Sequence, residues 1–229
     1  MSRACNRGTD SRELALYVHF PWCVRKCPYC DFNSHGLRGV LPENEYLGAL
    51  LDDLRWMAPD IGGREICSVF LGGGTPSLFS PRAVGALLEA ISDHLGFARD
   101  IEVTLEANPG AVERGHFADY ANAGVTLISL GAQSFCDKHL ATLGRIHSAR
   151  DTMEAVEAIH ACGLDRLNID LMYGLPLQSV SEACVDVERA LATGATHVSH
   201  YQLTIEPNTV FHAQRPVLPD DDTCWEMME

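Results

Sequence analysis

Cys23-Val-Arg-Lys-Cys27-Pro-Tyr-Cys30 follows directly on an apolar run, Leu14-Ala-Leu-Tyr-Val-His-Phe20. Three closely spaced cysteines suggest a metal site, because thiolate is the ligating form and soft thiolates select zinc, cuprous copper or iron–sulfur clusters. Arg25 and Lys26 inside the loop favour thiolate over thiol. A structural zinc site takes four protein ligands, usually as two C-x2-C pairs. Here there is one C-x3-C-x2-C triplet and no second pair. Three ligands on a four-iron cluster leave one iron open to a small molecule, which points to catalysis or cofactor handling more than to a structural staple. Two plainer readings stand beside it. Cys23, Cys27, Cys30 and His35 could form a Cys3His zinc site. Alternatively the three cysteines are structural and buried, although Arg25, Lys26 and Pro28 interrupt any apolar face.

The composition bounds what surrounds this loop. The chain has 229 residues, 46% hydrophobic and 21% charged, enough for one sizeable domain with a core. A formal net charge of −14 argues against non-specific nucleic acid binding, which needs clustered Lys and Arg. The longest apolar runs are of strand length, so no membrane span is expected. The start, Met1 to Asp10, has no apolar segment of the signal-peptide kind. Six of the nine cysteines (Cys5, Cys67, Cys136, Cys162, Cys184 and Cys224) are scattered without framework spacing. With a cluster-type loop beside them, that favours a reducing, cytoplasmic setting.

Beyond the loop the pattern alternates. Residues 1–13 read as a flexible N-terminus and 14–20 as a first buried strand. Pro42 and Glu43 open a helix with Tyr46, Leu47, Leu50, Leu51 and Leu54 on one face. Further strands are expected at 66–71, 101–106, 126–131, 166–172 and 197–203, with helices at 81–95, 111–123, 149–162 and 179–193. Gly124, Gly163 and Gly194 sit just past three of these helices, as C-terminal caps do. Buried strands alternating with amphipathic helices make βα units and a six-stranded parallel sheet. An open doubly wound sheet and a curved partial barrel both satisfy that periodicity.

Ligands of parallel α/β folds bind at the carboxyl ends of the strands. Several strands carry polar groups there. After the second comes Gly72-Gly-Gly-Thr-Pro76, a run that lets backbone approach a ligand and offers N–H groups to a carboxylate. It has neither the Lys-Ser/Thr ending of a P-loop nor the G-x-G-x-x-G of a dinucleotide site. The third strand ends at Glu106 before Ala107-Asn-Pro-Gly110. The fourth ends near Gln133, with Arg145 in the loop beyond. The fifth carries Asp170 inside an apolar run, costly to bury unless paired or ligand-bound. The sixth brings Tyr201, Gln202 and Thr204. Each alone could be a satisfied core polar group, but their shared place on successive strand ends points to a common pocket.

C-x3-C-x2-C after a strand resembles the signature of the radical S-adenosylmethionine (radical SAM) enzymes. The wider context, Tyr17-Val-His-Phe-Pro-Trp-Cys23 through Cys30-Asp-Phe32, resembles the branch that holds oxygen-independent coproporphyrinogen III oxidase and the heme chaperones. The resemblance implies a six-stranded partial (β/α) barrel over 14–210, with 211–229 the start of a C-terminal region that is cut short. It also implies a 4Fe–4S cluster on Cys23, Cys27 and Cys30, with S-adenosylmethionine on the fourth iron. Tyr17, Tyr29, Gly73, Gly74, Thr75, Glu106, Gln133, Arg145 and Asp170 match positions that contact this cofactor in the family.

Two departures favour the chaperone branch over the oxidase. The oxidase has a further cysteine two residues after the third, where this chain has Phe32, and a long segment before its tyrosine, where this chain has 16 residues before Tyr17. The resemblance then implies heme as bound cargo, a heme-accepting protein and an electron donor as partners. The oxidase reading implies radical decarboxylation of coproporphyrinogen III propionates instead.

Overall fold

Aliphatic, β-branched runs that lack a polar alternate face need cover on both sides, which a parallel sheet wrapped by helices supplies. In the computed structural model, which describes residues 13–61, 63–110 and 116–229, they find it. β1 (Glu13–Phe20) is followed by a two-residue bridge between β2 (Trp22–Cys23) and β3 (His35–Gly36). β4 (Glu65–Gly73), β5 (Phe97–Ala107), β6 (Leu127–Gln133), β7 (Leu167–Tyr173) and β8 (His197–Gln202) complete the main sheet. Its order is β1-β4-β5-β6-β7-β8, with every neighbouring pair parallel and β1 and β8 as its edges among the described residues. It is the six-stranded partial barrel.

The connecting helices are α1 (Glu43–Ile61), α2 (Pro81–Leu95), α3 (Phe117–Asn122), α4 (Asp137–Thr142), α5 (Ala149–Ala161) and α6 (Val180–Ala192). α7 (Val210–Ala213) and α8 (Asp221–Met228) follow β8. Their starts are chemically marked. Ser148 and Ser179 form reciprocal capping boxes with Asp151 and Glu182, and Ser80 and Asp220 cap α2 and α8. Sheet residues Ile66, Leu71, Leu105, Ile128, Leu130 and Ile169 pack with Leu87, Ile91 and Ile159 from the helices in one main core.

The expected elements differ at their edges. β5 begins at Phe97 rather than at 101, because the exposed Arg99-Asp100 pair hides the strand pattern at that end. Of the helix expected over 111–123, residues 111–115 lie outside the described residues and α3 covers 117–122. α4 shows no periodicity in the sequence, since six residues are too few to display one. The flexible start expected over 1–13 lies outside the described residues but for Glu13, which opens β1. Phe211 packs with Leu143, Met172, Leu175 and Leu203, and Cys224 and Met227 pack with Tyr173 and Ala183, so residues after 210 lie against the barrel. Among the described residues no helix is long and apolar enough to cross a membrane.

One buried hydroxyl ties a helix to the rim of the barrel. Tyr120 on α3 is 1% exposed, and its hydroxyl reaches the carbonyls of Ser77 (2.9 Å) and Phe79 (2.7 Å) just after the glycine loop. Tyr120→Phe leaves these acceptors dry and unpaired, and denaturant unfolding is expected to show a loss of about 1–3 kcal/mol.

Candidate functional site

The glycine loop and the cysteine loop meet because the pairing of β1 with β4 continues past both strands. Phe20 lies opposite Gly73, and beyond that pair Gly74 N donates to Phe20 O (2.6 Å) and Thr75 N to Trp22 O (2.7 Å). This approach excludes side chains. A Cβ on Gly74 would lie 2.6 Å from Trp22 O and 2.8 Å from Phe20 O.

The cysteine loop is closed at its base by the β2–β3 bridge, where His35 N donates to Pro21 O (2.7 Å) and Leu37 N to Cys23 O (2.8 Å). Within it, Lys26 Nζ donates to Phe32 O (2.9 Å) and Ser34 O (3.0 Å). His19 Nε2 meets Asn33 O at 2.8 Å. Three successive carbonyls after Cys30 are thus held by side chains. Below the loop, Trp22 packs edge-on to Tyr46 and Phe20 to Phe79. On its far side Gly144 runs so close to Pro28 that a Cβ there would lie 2.7 Å from the ring.

A cavity of about 710 Å³ opens between these loops and the carboxyl ends of the strands. Cys23, Cys27, Cys30, Tyr29, Gly73, Gly74, Thr75, Glu106, Gln133, Arg145 and Asp170 all line it. Tyr17 stands apart. It is 55% exposed, stacks beside Phe70 and places its hydroxyl 2.9 Å from His19 Nδ1, outside the cavity wall. His35 is exposed on β3, and among the described residues no three His, Cys, Asp or Glu side chains gather closely enough for one metal ion. A Cys3His zinc site needs such a group, with each sulfur about 2.3 Å from the metal. A four-iron cluster is larger and takes thiolates set further apart. The eight described cysteines are free of disulfides.

The polar wall is held in place by residues that the strand-end pattern alone did not single out. Asn108 accepts a hydrogen bond from Arg145 Nη2 and donates one to Thr75 Oγ1 (3.1 Å). Arg145 Nη2 also donates to Gly131 O (2.9 Å), and Nη1 to Cys27 Sγ (3.5 Å). Asp170 accepts from Ser129 Oγ (3.1 Å) and Asn168 Nδ2 (2.8 Å). Burial still holds its carboxyl above the usual range. Glu106 accepts from Gly73 N (2.9 Å), yet burial, with the Asp170 charge adding, pushes it from 4.5 up to about 7. His147, beside Arg145, donates from Nε2 to Ala132 O (3.1 Å), and burial chiefly pushes its pKa down to about 4, which keeps it neutral near pH 7. Tyr201 donates to Gln133 Oε1 at 2.6 Å. The wall therefore offers carboxyl groups, amides and a buried guanidinium around one space, a donor and acceptor set that suits a ligand with an amino acid head and hydroxyls.

Gly74→Ala forces backbone apart at the point where the two loops join. We expect a large fall in thermal unfolding midpoint, together with lower iron retention after reconstitution; an unchanged midpoint contradicts the close approach.

A sequence profile described as the radical SAM superfamily matches residues 17–189. The heme chaperone HemW of Escherichia coli (strain K12) is 50% identical over 216 residues, covering 94% of this chain and 57% of that protein. The mitochondrial radical S-adenosyl methionine domain-containing protein 1 of Mus musculus is 40% identical over 223 residues, covering 96% of this chain and 50% of its own length. The chain thus spans about half the length of these relatives. Among solved structures, coproporphyrinogen III oxidase HemN from Escherichia coli, described as a radical SAM enzyme, superposes with a TM-score of 0.84. It shares 26% identity, and the match covers 95% of this chain and 51% of that one. With its cysteine triplet, its parallel partial barrel and a profile match over residues 17–189, the chain belongs to the radical SAM superfamily.

Proposed function

We propose that this chain is the cofactor-binding barrel of a heme chaperone, a protein that holds heme as cargo and hands it to an acceptor protein. The observation that carries this is the 50% identity to HemW over nearly the whole chain, coupled with Phe32 where the oxidase has a further cysteine. Cys23, Cys27 and Cys30 hold a 4Fe–4S cluster. Gly73, Gly74 and Thr75 present backbone to S-adenosylmethionine, while Glu106, Gln133, Arg145, Asp170 and Tyr29 surround it. Tyr17 serves through His19, which grips the cysteine loop at Asn33. When bound, the cluster and S-adenosylmethionine supply one-electron chemistry, with the electron coming from a separate donor protein. The free thiols of the described cysteines suit a reducing, cytoplasmic setting.

The chain's own groups shape what the cavity accepts. Neutral His147 beside Arg145 adds no charge of its own, and Glu106, Asp170, Asp31, Asp151 and Glu206 make up the acidic wall of the cavity. That wall suits a sulfonium, an ammonium and ribose hydroxyls. Arg145 suits a carboxylate.

A second reading, oxidative decarboxylation of coproporphyrinogen III, has the HemN superposition in its favour. Phe32 and the greater identity to HemW weigh against it.

Electron paramagnetic resonance of the anaerobically reconstituted, dithionite-reduced protein tests the cofactor assignment. A reduced 4Fe–4S signal that changes when S-adenosylmethionine is added is expected; a signal indifferent to it contradicts the open iron. For cargo, gel filtration with heme is expected to yield one heme per chain, transferable to an apo-acceptor. Anaerobic turnover to protoporphyrinogen without heme retention supports the oxidase instead.

Glu106 gives a pH signature. Its carboxyl is half protonated near pH 7 in the free cavity, and a cationic or hydroxyl-rich ligand favours the ionised form. Affinity for S-adenosylmethionine, read by equilibrium dialysis, should rise as pH increases from 6 to 8, and Glu106→Gln should flatten that slope. In the free protein the sign is opposite for stability. A folded-state pKa raised above the unfolded value favours the fold below pH 4.5 and loses that contribution as pH rises through about 7. Glu106→Gln is therefore expected to stabilise the ligand-free protein at pH 8.

A further inference from the structure

Gln133 occupies a backbone conformation that its side chain opposes. Its φ is +66°, in the left-handed region that L side chains avoid. Ser134 N donates back across it to Ala132 O (2.9 Å), the two-residue closure of a γ-turn, and the positive-φ form of that turn is rare and strained. The register of β6 on β7 breaks at the same place, between Leu130 and Gln133. Such strain persists only where the surroundings over-determine it.

The surroundings that do so lie on α6, outside the cavity. Asp186 is 2% exposed and accepts two hydrogen bonds from the residues directly after Gln133, Ser134 Oγ at 2.6 Å and Phe135 N at 2.7 Å. Ser134 is itself fully buried, and its Oγ also accepts from Cys136 N (3.0 Å). Arg189 Nη1 donates to Phe135 O at 2.9 Å. Glu182 on the same helix lies 3.6 Å from the buried His139 of α4. Residues 182, 186 and 189 follow the four-and-three spacing of one helix face, so one side of α6 meets the whole 134–139 segment with polar groups. A buried carboxylate in a helix interior is costly, and here both of its oxygens are used on a single strained turn.

On the cavity side, the turn decides where the Gln133 amide points. Gln133 is 6% exposed, accepts the Tyr201 hydroxyl and folds over Gly131, where a Cβ would lie 3.1 Å from Nε2. Asp186 bonds to Ser134 and Phe135, and neither it nor they are among the residues that line the cavity.

We propose that Asp186, with Arg189, is a positioning residue for the cavity. Together they hold Gln133 in its left-handed turn, and so fix the polar face that Gln133 and Tyr201 present to the ligand. The ligand half of this rests on S-adenosylmethionine being the occupant; the structural half does not.

A double-mutant cycle tests the structural half. Tyr201→Phe strips the donor from Gln133 Oε1 and is measured by denaturant unfolding in the parent, in Asp186→Ala and in Arg189→Ala. If the clamp delivers Gln133 to Tyr201, the loss caused by Tyr201→Phe shrinks by at least half in either background. Strictly additive losses overturn the proposal, since a clamp that merely joins α6 to α4 leaves the Tyr201 bond intact. Arg189 is exposed, so its variant keeps the cycle measurable should Asp186→Ala fold poorly.

Equilibrium dialysis with S-adenosylmethionine on the reconstituted protein reads the ligand half. Asp186→Ala is expected to bind about tenfold more weakly at unchanged iron content. Asp186→Asn keeps an acceptor for Phe135 N and should bind within about twofold of the parent. Unchanged affinity in Asp186→Ala overturns the ligand half. Coupled unfolding losses in a parent that itself binds no S-adenosylmethionine uphold the clamp and instead fail the proposed occupant.

Discussion

Two backbone hydrogen bonds, Gly74 N to Phe20 O and Thr75 N to Trp22 O, are the constraint on which the cavity depends. They extend a parallel pairing beyond the strands that began it, so two loops separated by some fifty residues of sequence become one rim. Everything that makes the rim useful requires this closeness. The cysteines are brought over the barrel mouth, and the Gly73 N–H faces Glu106. The requirement for glycine at 74 comes from the contact distance itself, since carbonyl oxygens occupy the space a Cβ would need.

Around the rim, charge is retained in a largely buried space by mutual support. Arg145 is held by Asn108 and Gly131, and Asp170 by Ser129 and Asn168. A buried ionisable group without such partners would neutralise or destabilise the fold. Glu106, with one backbone donor, is less supported than Asp170 and is pushed to about 7. Fully bonded groups stay fixed, whereas a group short of donors remains responsive to whatever enters.

Much of this is legible in the sequence. Cysteine spacing, the triple glycine and an acidic residue inside an apolar strand are local signals, and the strand-end rule gathers them at one place. The six parallel strands followed from alternation with helices, and Gly124, Gly163 and Gly194 do sit at positive φ after helices. What could not be read acts through tertiary contact. Asp186 looks like a solvent-facing residue of an amphipathic helix until the 134–135 turn is seen packed on it. Asn108 and Asn168 look like ordinary loop and strand residues until Arg145 and Asp170 arrive beside them. Tyr17, matched by its motif, has its hydroxyl engaged by His19, a contact that spacing alone does not reveal.

The unjoined edge at β8 carries a further consequence. An exposed strand edge offers unpaired backbone groups and invites other strands to add to it, which ends in aggregation when the strand is apolar. β8 reads His197-Val-Ser-His-Tyr-Gln202, and four of its six residues are exposed. Its polarity makes this a poor seed for sticky self-association. The same composition leaves hydrogen-bonding groups rather than a continuous apolar stripe along this flank.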